Sequence, residues 1–169
     1  MEVDSINNNG DNASLSVARE TAVGFIGISK KSSGRVRDHL LRKGFSSDLC
    51  ASVVFGLIED GFIDDDRVAR SILTSRRGAK AEGRFRLRAR MIERGIPENT
   101  ADSVLASSQA DSETIIELLR STYKSDGPID LGRDEYRPTV SKASRFLVSR
   151  GYSYELISYA LSNFFKEVE

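Results

Sequence analysis

The sequence has little of the side-chain chemistry that metal and redox sites require. Its 169 residues include one cysteine, Cys50, one histidine, His39, and no tryptophan. A single cysteine cannot build a disulfide framework, and with one histidine it falls short of the four ligands of a structural zinc site. No apolar run approaches the roughly 20 residues of a membrane span, and the polar start lacks a secretory signal. We therefore predict a cytoplasmic protein with no metal, no other cofactor and no membrane association.

Catalytic and nucleotide-binding motifs are also missing. The chain contains no Gly-x-Ser-x-Gly elbow and no Gly-x-x-x-x-Gly-Lys-Ser/Thr phosphate loop. Each of these motifs places a nucleophile or backbone N–H groups where a reaction needs them. No other combination of nucleophile, base and orienting group is visible. The sequence therefore predicts that the protein is not an enzyme.

The pattern of apolar residues predicts an all-α fold. Apolar residues recur three and four positions apart, whereas the period-2 alternation of strands is absent. Residues 1–13 are polar and without periodicity, which predicts a disordered N-terminal tail. A polar stretch, residues 125–137, contains Pro128 and ends just before Pro138, and it predicts one long loop.

An internal repeat divides the rest of the chain. Three segments align without a gap, His39 to Val54, Arg90 to Leu105 and Phe146 to Leu161, and each contains a helix-ending glycine: Gly44, Gly95 and Gly151. A glycine at such a position takes the left-handed conformation that ends a helix. With one further helix upstream in each case, the repeat predicts three tandem three-helix repeats, residues 14–60, 61–108 and 109–169, in an elongated, curved helical stack.

The charges are distributed unevenly although the net charge is zero. Residues 67–94 carry ten bases and two acids, a net charge of +8, whereas residues 95–135 carry nine acids and three bases, a net charge of −6. A solvated face normally mixes both signs, so we predict that the basic segment binds a phosphate backbone or an acidic protein surface. The predicted partner- or DNA-binding residues are Arg35, Arg70, Arg76, Arg77, Lys80, Arg84, Arg86, Arg88, Arg90, Arg94, Lys142 and Arg150.

Two of these basic positions recur in all three repeats. Nine residues before each glycine stand Arg35, Arg86 and Lys142, and they suggest a basic stripe along one side of the stack. Directly before each glycine stands another base, for which helix-end capping is an equally good explanation. The helix after each turn contains no Lys or Arg, which disfavours sequence-specific reading of duplex DNA.

The three consecutive acids Asp64, Asp65 and Asp66 have a structural interpretation. We predict that Asp64 caps a helix and that the other two lie in its first turn, where negative charge is favoured. A carboxylate metal site is the alternative. No calcium-loop spacing surrounds the three acids.

Three sequence pieces resemble the RecX family of bacterial recombination regulators. They are GFIDDDRVARS (61–71), GRFRLRARMIERGI (83–96) and SRFLVSRGYSYELISYAL (144–161). The resemblance spans residues 15–166 and implies tandem three-helix repeats that bind the RecA recombinase filament on single-stranded DNA. It further implies inhibition of the ATPase, strand-exchange and coprotease activities of RecA, and we expect a monomer. The motif positions carried over are Asp64, Asp65 and Arg67, with Val68 in place of the usual aromatic.

Two other functions remain open at this point. A nucleic-acid-binding module would use the basic surface directly and would bind bare DNA tightly and with strong salt dependence. A helical scaffold without a nucleic-acid role would share the fold but would leave the basic segment unexplained.

Overall fold

The protein is predominantly helical. The computed structural model describes the backbone of residues 5–168 and the side chains of residues 13–168. A short 3-10 helix, Gly78–Lys80, precedes the fifth α-helix. The other elements are α1 (Ser5–Ile26), α2 (Ser33–Arg42), α3 (Ser47–Glu59), α4 (Asp65–Ser75), α5 (Arg84–Glu93), α6 (Glu98–Ala106), α7 (Asp111–Tyr123), β1 (Ile129–Gly132), α8 (Arg133–Ser149), α9 (Tyr154–Phe164) and β2 (Phe165–Val168).

The helices pack in three successive triplets. Helix α1 contacts α2 and α3, α4 contacts α5 and α6, and α9 contacts both α7 and α8. Each triplet has its own buried apolar cluster, in which Leu40, Met91 and Leu147 hold the same position four residues before the glycine of their triplet. The helical fold predicted from the periodicity is therefore confirmed. In each triplet the buried apolar side chains lie on the inner faces of the helices, as amphipathic helices require.

Short polar side chains define where several helices begin. The side chains of Ser32, Ser46, Asp64 and Ser153 each accept a hydrogen bond from a backbone N–H in the first turn of the following helix. These bonds satisfy donors that have no partner within the helix. The prediction that Asp64 caps α4, with Asp65 and Asp66 in the first turn, is confirmed.

The three glycines of the alignment end α2, α5 and α8. Gly44, Gly95 and Gly151 have φ angles of 91°, 76° and 85°. The residue before each glycine donates its backbone N–H to carbonyls of the preceding helix, which closes the turn. Left-handed glycine turns at these positions agree with the sequence.

The third triplet departs from the other two at the start of its middle helix. Helices α2 and α5 begin at Ser33 and Arg84, each 11 residues before its glycine, whereas α8 begins at Arg133, 18 residues before Gly151. Helix α8 therefore has about two extra turns at its N-terminal end. Pro138 lies in this extension and cannot donate a backbone hydrogen bond there.

The predicted long loop at residues 125–137 is wrong beyond residue 128, and the structure adds one pair of short strands to the helical fold. Residues 129–132 form β1, which pairs in parallel with β2, and residues 133–137 belong to α8. The sheet depends on a long-range contact: Phe165, at the start of β2, is buried and packs edge-on against Tyr123 and Phe164. Strands of only four residues are too short for an alternating pattern, such as that of Ile129 to Gly132, to distinguish them from a loop.

The N-terminal region also differs from the sequence prediction. Helix α1 begins at Ser5, within the segment predicted as a disordered tail, and residues 1–4 of that segment lie outside the described residues. No proline interrupts residues 5–13, so the helix can continue upstream of the apolar residues that anchor it. None of the helices within residues 5–168 combines the length and the apolar character that a membrane crossing requires.

Candidate partner-binding surface

Adjacent triplets meet at two joints built from close glycine contacts. In the first joint, the Gly34 N–H donates to the Gly95 carbonyl at 3.0 Å. In the second joint, the Gly83 N–H donates to the Arg150 carbonyl at 2.9 Å. A Cβ on Gly34 would lie 2.5 Å from the Gly95 oxygen, and a Cβ on Gly83 would lie 2.4 Å from the Gly151 oxygen. Only glycine permits this approach of two backbones.

The joints also hold two arginines of the predicted basic stripe. The Arg35 guanidinium donates to the Glu93 carbonyl at 3.0 Å, and the Arg86 guanidinium donates to the Ser149 carbonyl. Each acceptor lies at the C-terminal end of a helix in the next triplet, where a positive charge is favoured. Lys142 holds the third equivalent position and makes no hydrogen bond or ion pair with the described residues. The structure thus places two stripe residues in contacts between triplets.

Aspartates at the starts of α4 and α7 complete the joints. Asp65 accepts the backbone N–H of Ser33 at 2.9 Å, and Asp111 accepts that of Arg84 at 3.1 Å. Burial raises the pKa of Asp111, although the Arg84 N–H and charge oppose the shift. Asp65, one of the carried-over motif positions, therefore has a structural contact between the first two triplets.

Four other predicted bases are committed to ion pairs within the chain. Arg90 donates two hydrogen bonds of 2.8 Å to the buried carboxylate of Glu82, which Arg86 also approaches at 3.3 Å. Helix α5 is bound to α6 by Arg88, which lies 2.9 Å from the Glu98 carboxylate and 2.6 Å from the Asp102 carboxylate. The remaining pairs are Arg70 with Asp66 at 2.5 Å and Arg84 with Asp111 at 3.9 Å.

A second group of predicted bases has no such partner. Within residues 13–168, the side chains of Arg77, Lys80 and Arg94 make no hydrogen bond or ion pair, and all three are exposed. Arg67 contributes only its backbone N–H, to the Asp64 cap. Arg150 donates weakly to the Ala81 carbonyl at 3.4 Å and lies over the Phe146 ring. Most of these free bases belong to the second triplet, and two of them, Arg77 and Lys80, lie in its segment between α4 and α5.

One of the free bases, Arg77, lines a cleft at the second joint, which we call the joint cleft. It has a volume of about 260 Å³ and lies between the C-terminal ends of α4 and α6 and the start of α7. Its charged lining residues are Arg70, Arg76, Arg77, Glu82, Arg84 and Asp111. Arg76 is one of these lining residues, and its Nε atom is buried without a hydrogen-bond partner among the described residues. The sequence marks this region as basic but gives no indication of a cavity.

Phe85 is a large apolar residue that sequence reasoning missed. Its side chain is 80% exposed on α5, between Arg84 and Arg86 in the sequence. It lines a second cavity of about 240 Å³ together with Leu105, Ala106 and the side chain of Arg88. Aromatic residues, phenylalanine included, and arginines are both enriched at protein interfaces. The signal in the sequence is a phenylalanine within an otherwise basic, amphipathic helix.

Comparisons with known proteins point to one family. A regulatory protein RecX from Prosthecochloris aestuarii is 28% identical over 144 residues, which are 85% of this chain and 91% of that protein. A regulatory protein RecX from Clostridium tetani is 31% identical over 143 residues, 83% of this chain. The chain spans 64% of the length of the Clostridium tetani protein. No protein-family model matches the chain.

The fold agrees with solved structures of the same name. The crystal structure of RecX from Lactobacillus salivarius superimposes with a TM-score of 0.70 at 20% identity, over 90% of this chain and 97% of that one. A second crystal structure of a regulatory protein RecX gives a TM-score of 0.67 at 17% identity, over 95% and 78% of the two chains.

Proposed function

The chain belongs to the RecX family of regulatory proteins, and we propose that it binds the RecA recombinase filament on single-stranded DNA. There it inhibits the ATPase, strand-exchange and coprotease activities of the recombinase. The observation that carries the proposal is the group of free bases, Arg77, Lys80 and Arg94, on a chain of this family. Their charges have no acidic partner in the described part of the chain, so they are available to an acidic or phosphate-bearing surface.

Phe85 supports a protein partner for this surface. An exposed aromatic side chain beside an apolar cavity gains little from contact with water and can be buried when a partner docks. Filling a cavity of this kind is typical of the central residues of protein interfaces. The free bases elsewhere on the second triplet add a positive charge that would attract an acidic partner to this part of the molecule.

Direct binding to nucleic acid is the second candidate function. The same aromatic residue among bases favours it, because bases of an unpaired strand stack on exposed rings while arginines and lysines follow the phosphates. This function would not require the recombinase, whereas the first one does. The two are therefore separated by comparing effects on the filament with binding to the bare strand.

We further propose that the protein acts as a monomer, without catalytic activity, in the cytoplasm during recombination, repair and the SOS response. Its curated relatives are named regulatory proteins rather than enzymes. Regulation by a surface contact needs no catalytic residues.

The proposal is tested by titrating the single-stranded-DNA-dependent ATPase of RecA with this protein. Binding to the same DNA without RecA is measured in parallel. Inhibition at concentrations too low to coat the bare DNA supports regulation of the filament through protein contacts. If the ATPase rate is unchanged, or falls only once the DNA is coated, filament regulation is contradicted.

A pair of charge reversals connects the inhibition to the free bases. The double variant Arg77→Glu/Lys80→Glu should raise the concentration needed for half-inhibition about tenfold or more, equivalent to about 1.4 kcal/mol of binding energy. The matched control is Arg120→Glu/Arg137→Glu, which changes the net charge equally at exposed positions of the third triplet. Arg86 and Arg88 are left unchanged because their reversal would break contacts that hold the fold together.

A further inference from the structure

We propose that the joint cleft is a binding site for a phosphate group. The proposal concerns this chain alone and does not depend on contact with RecA. It rests on three features of the cleft: the excess of arginine charge, a buried donor without an acceptor, and the start of a helix that lacks a side-chain cap.

The positive charges of the cleft exceed the negative charges available to neutralise them. Glu82 is occupied by Arg90 and Arg86, which both lie within 3.3 Å of its carboxylate. Asp111 is occupied by the backbone N–H and the guanidinium of Arg84. Once these contacts are assigned, Arg76 and Arg77 remain without an anionic partner of their own in the described part of the chain.

Arg76 supplies a donor that points to a missing acceptor. Its Nε atom is buried without a hydrogen-bond partner among residues 13–168. Buried polar groups in folded proteins are nearly always paired, and an unpaired donor is unfavourable. An oxyanion in the cleft would balance the charge of this guanidinium, whose Nε donor has no acceptor within the described part of the chain.

The start of α7 adds a third favourable feature. This helix has 13 residues, and its N-cap, Ala110, has no side-chain acceptor for the first backbone N–H groups. Helix N-termini attract anions through these free N–H groups and through the helix dipole. Asp111 and Thr114 of the first turn line the same cleft, so the helix start faces the space beside Arg76.

Phosphate is the oxyanion that fits this set of donors best. Planar guanidinium groups bind phosphate oxygens through two parallel hydrogen bonds, and a tetrahedral anion can accept from several directions at once. The hydroxyl groups of Ser107 and Ser108 already donate to carbonyls of α6, which leaves the arginines and the helix start as the available donors. The phosphate can belong to a nucleic-acid backbone or to a free phosphate compound, and the experiment distinguishes these sources.

The site would also connect two triplets. The cleft is lined by the ends of α4 and α6 on one side and by α7 on the other. A bound phosphate therefore contacts the second and third triplets together. Because a ligand that binds only the folded state stabilises it, phosphate should raise the midpoint of thermal unfolding.

The test is an NMR titration of the full-length protein with inorganic phosphate and, separately, with a short oligothymidylate, at constant ionic strength maintained with chloride. The Nε–H resonance of Arg76, assigned through its side-chain connectivities in the isotope-labelled protein and checked by its loss in Arg76→Gln, should shift with saturation. An effect of both ligands indicates a site for free phosphate compounds and nucleic acid alike, and an effect of the oligonucleotide alone indicates a site for the phosphodiester backbone.

Variants decide whether the shift reports this cleft. Arg77→Gln should raise the dissociation constant at least tenfold, whereas Arg67→Gln, an exposed arginine on α4 outside the cleft lining, should leave it unchanged. Arg77 is exposed, so this variant decides the question even if the partly buried Arg76→Gln fails to fold. The proposal is overturned if neither ligand shifts the Arg76 resonance, or if Arg77→Gln and Arg67→Gln weaken binding equally.

Discussion

Glu82 is a buried carboxylate on which two arginines converge. Its side chain is 4% exposed, and Arg90 reaches it with two short hydrogen bonds. The variant Glu82→Gln leaves Arg90 without its charged partner, and we expect it to lower the free energy of unfolding by about 2 kcal/mol. Urea denaturation measures this change. The control Glu98→Gln removes an exposed partner of Arg88, which keeps Asp102, and should cost less than about 0.5 kcal/mol.

Glu82 also predicts how stability depends on pH. Burial alone would raise its pKa, but the hydrogen bonds of Arg90 and the charges of Arg90, Arg76 and Arg86 outweigh burial and lower it below the ordinary value of 4.5. A carboxyl with a lowered pKa in the folded state stabilises the protein fully above its unfolded pKa. This contribution is lost as the pH falls below about 4.5. When the pH is lowered below about 4.5, the free energy of unfolding of Glu82→Gln should therefore fall less than that of the wild type. Urea denaturation at a series of pH values measures the difference.

Phe85 is the residue whose removal should affect partner binding without affecting the fold. Because its side chain is 80% exposed, Phe85→Ala should leave the midpoint of thermal unfolding nearly unchanged. We expect it to weaken inhibition of the RecA ATPase roughly tenfold, as truncation of a central interface residue does. Tyr154→Ala removes an equally exposed aromatic residue of the third triplet and should have no effect on inhibition. Equal effects of the two variants would exclude Phe85 from the interface.

At the scale of single residues, local roles are easier to predict than distant contacts. Asp64 was identifiable as a cap because its acceptor and the N–H that it binds lie three residues apart. Arg35 and Arg86 also occur at equivalent positions in the sequence, but the carbonyls that they bind lie more than 50 residues away. Nothing in the sequence near an arginine shows such an acceptor. A contact of these arginines with a partner stays a prediction.

Among the helices, α1 and α2 offer a comparison of two glycines with opposite expected behaviour. Replacing a glycine within a helix by alanine normally stabilises a protein by about 0.5–1 kcal/mol. Gly24→Ala should follow this rule because a Cβ there meets no atom within 4 Å. Gly34→Ala should instead destabilise the protein by about 2 kcal/mol, since its Cβ would clash with the Gly95 backbone at the first joint. Thermal and urea unfolding of both variants measure the difference. Equal stabilisation would show that the joint is not closely packed.

The predictability of each element follows from the range of the interactions that form it. Helix α4 begins at the predicted residue, Asp65, because amphipathic periodicity and first-turn acids are local signals. The pairing of β1 with β2 joins residues 36 positions apart, as with Ile129 and Phe165, and is stabilised by aromatic packing that no short window contains. Pro138 suggested a loop boundary because proline cannot donate a backbone hydrogen bond, yet it is the sixth residue of α8 and lies beyond the first turn.

For the molecule as a whole, the second joint should stabilise the third triplet through its contact with the second. Gly83→Ala places a Cβ 2.4 Å from the Gly151 oxygen and should open this joint. We expect the free energy of opening, measured by native-state hydrogen exchange, to fall by about 1–2 kcal/mol for amides of α7–α9 and to stay unchanged in α1–α3. Gly127→Ala, where a Cβ meets no atom within 4 Å, is the control. A uniform fall across all helices would mean that the chain unfolds as a single unit.

More of the arrangement of the helices than of the binding surface could be predicted from the sequence. Three equivalent glycines were enough to place the turns, since each needs a left-handed backbone that few other residues adopt. The basic segment was equally visible, but its division into joint residues, internal ion pairs and free bases depends on which side chains meet after folding. The boundaries at residues 60/61 and 108/109 stay predictions, and the exchange experiment tests whether the triplets behave as separate units.

The early start of α8 has a consequence for how long such an array can become. The joint donors Gly34 and Gly83 stand ten and twelve residues before Gly44 and Gly95, so a new triplet at the C-terminal end would need a free N–H within residues 139–141, as at Thr139. Thr139 lies inside α8, so its N–H faces along a continuing helix. Around Gly44, at the opposite end, a Cβ would meet no atom of the described residues within 4 Å. A designer who wished to lengthen the array would therefore add units upstream, and would have to shorten α8 before adding any downstream.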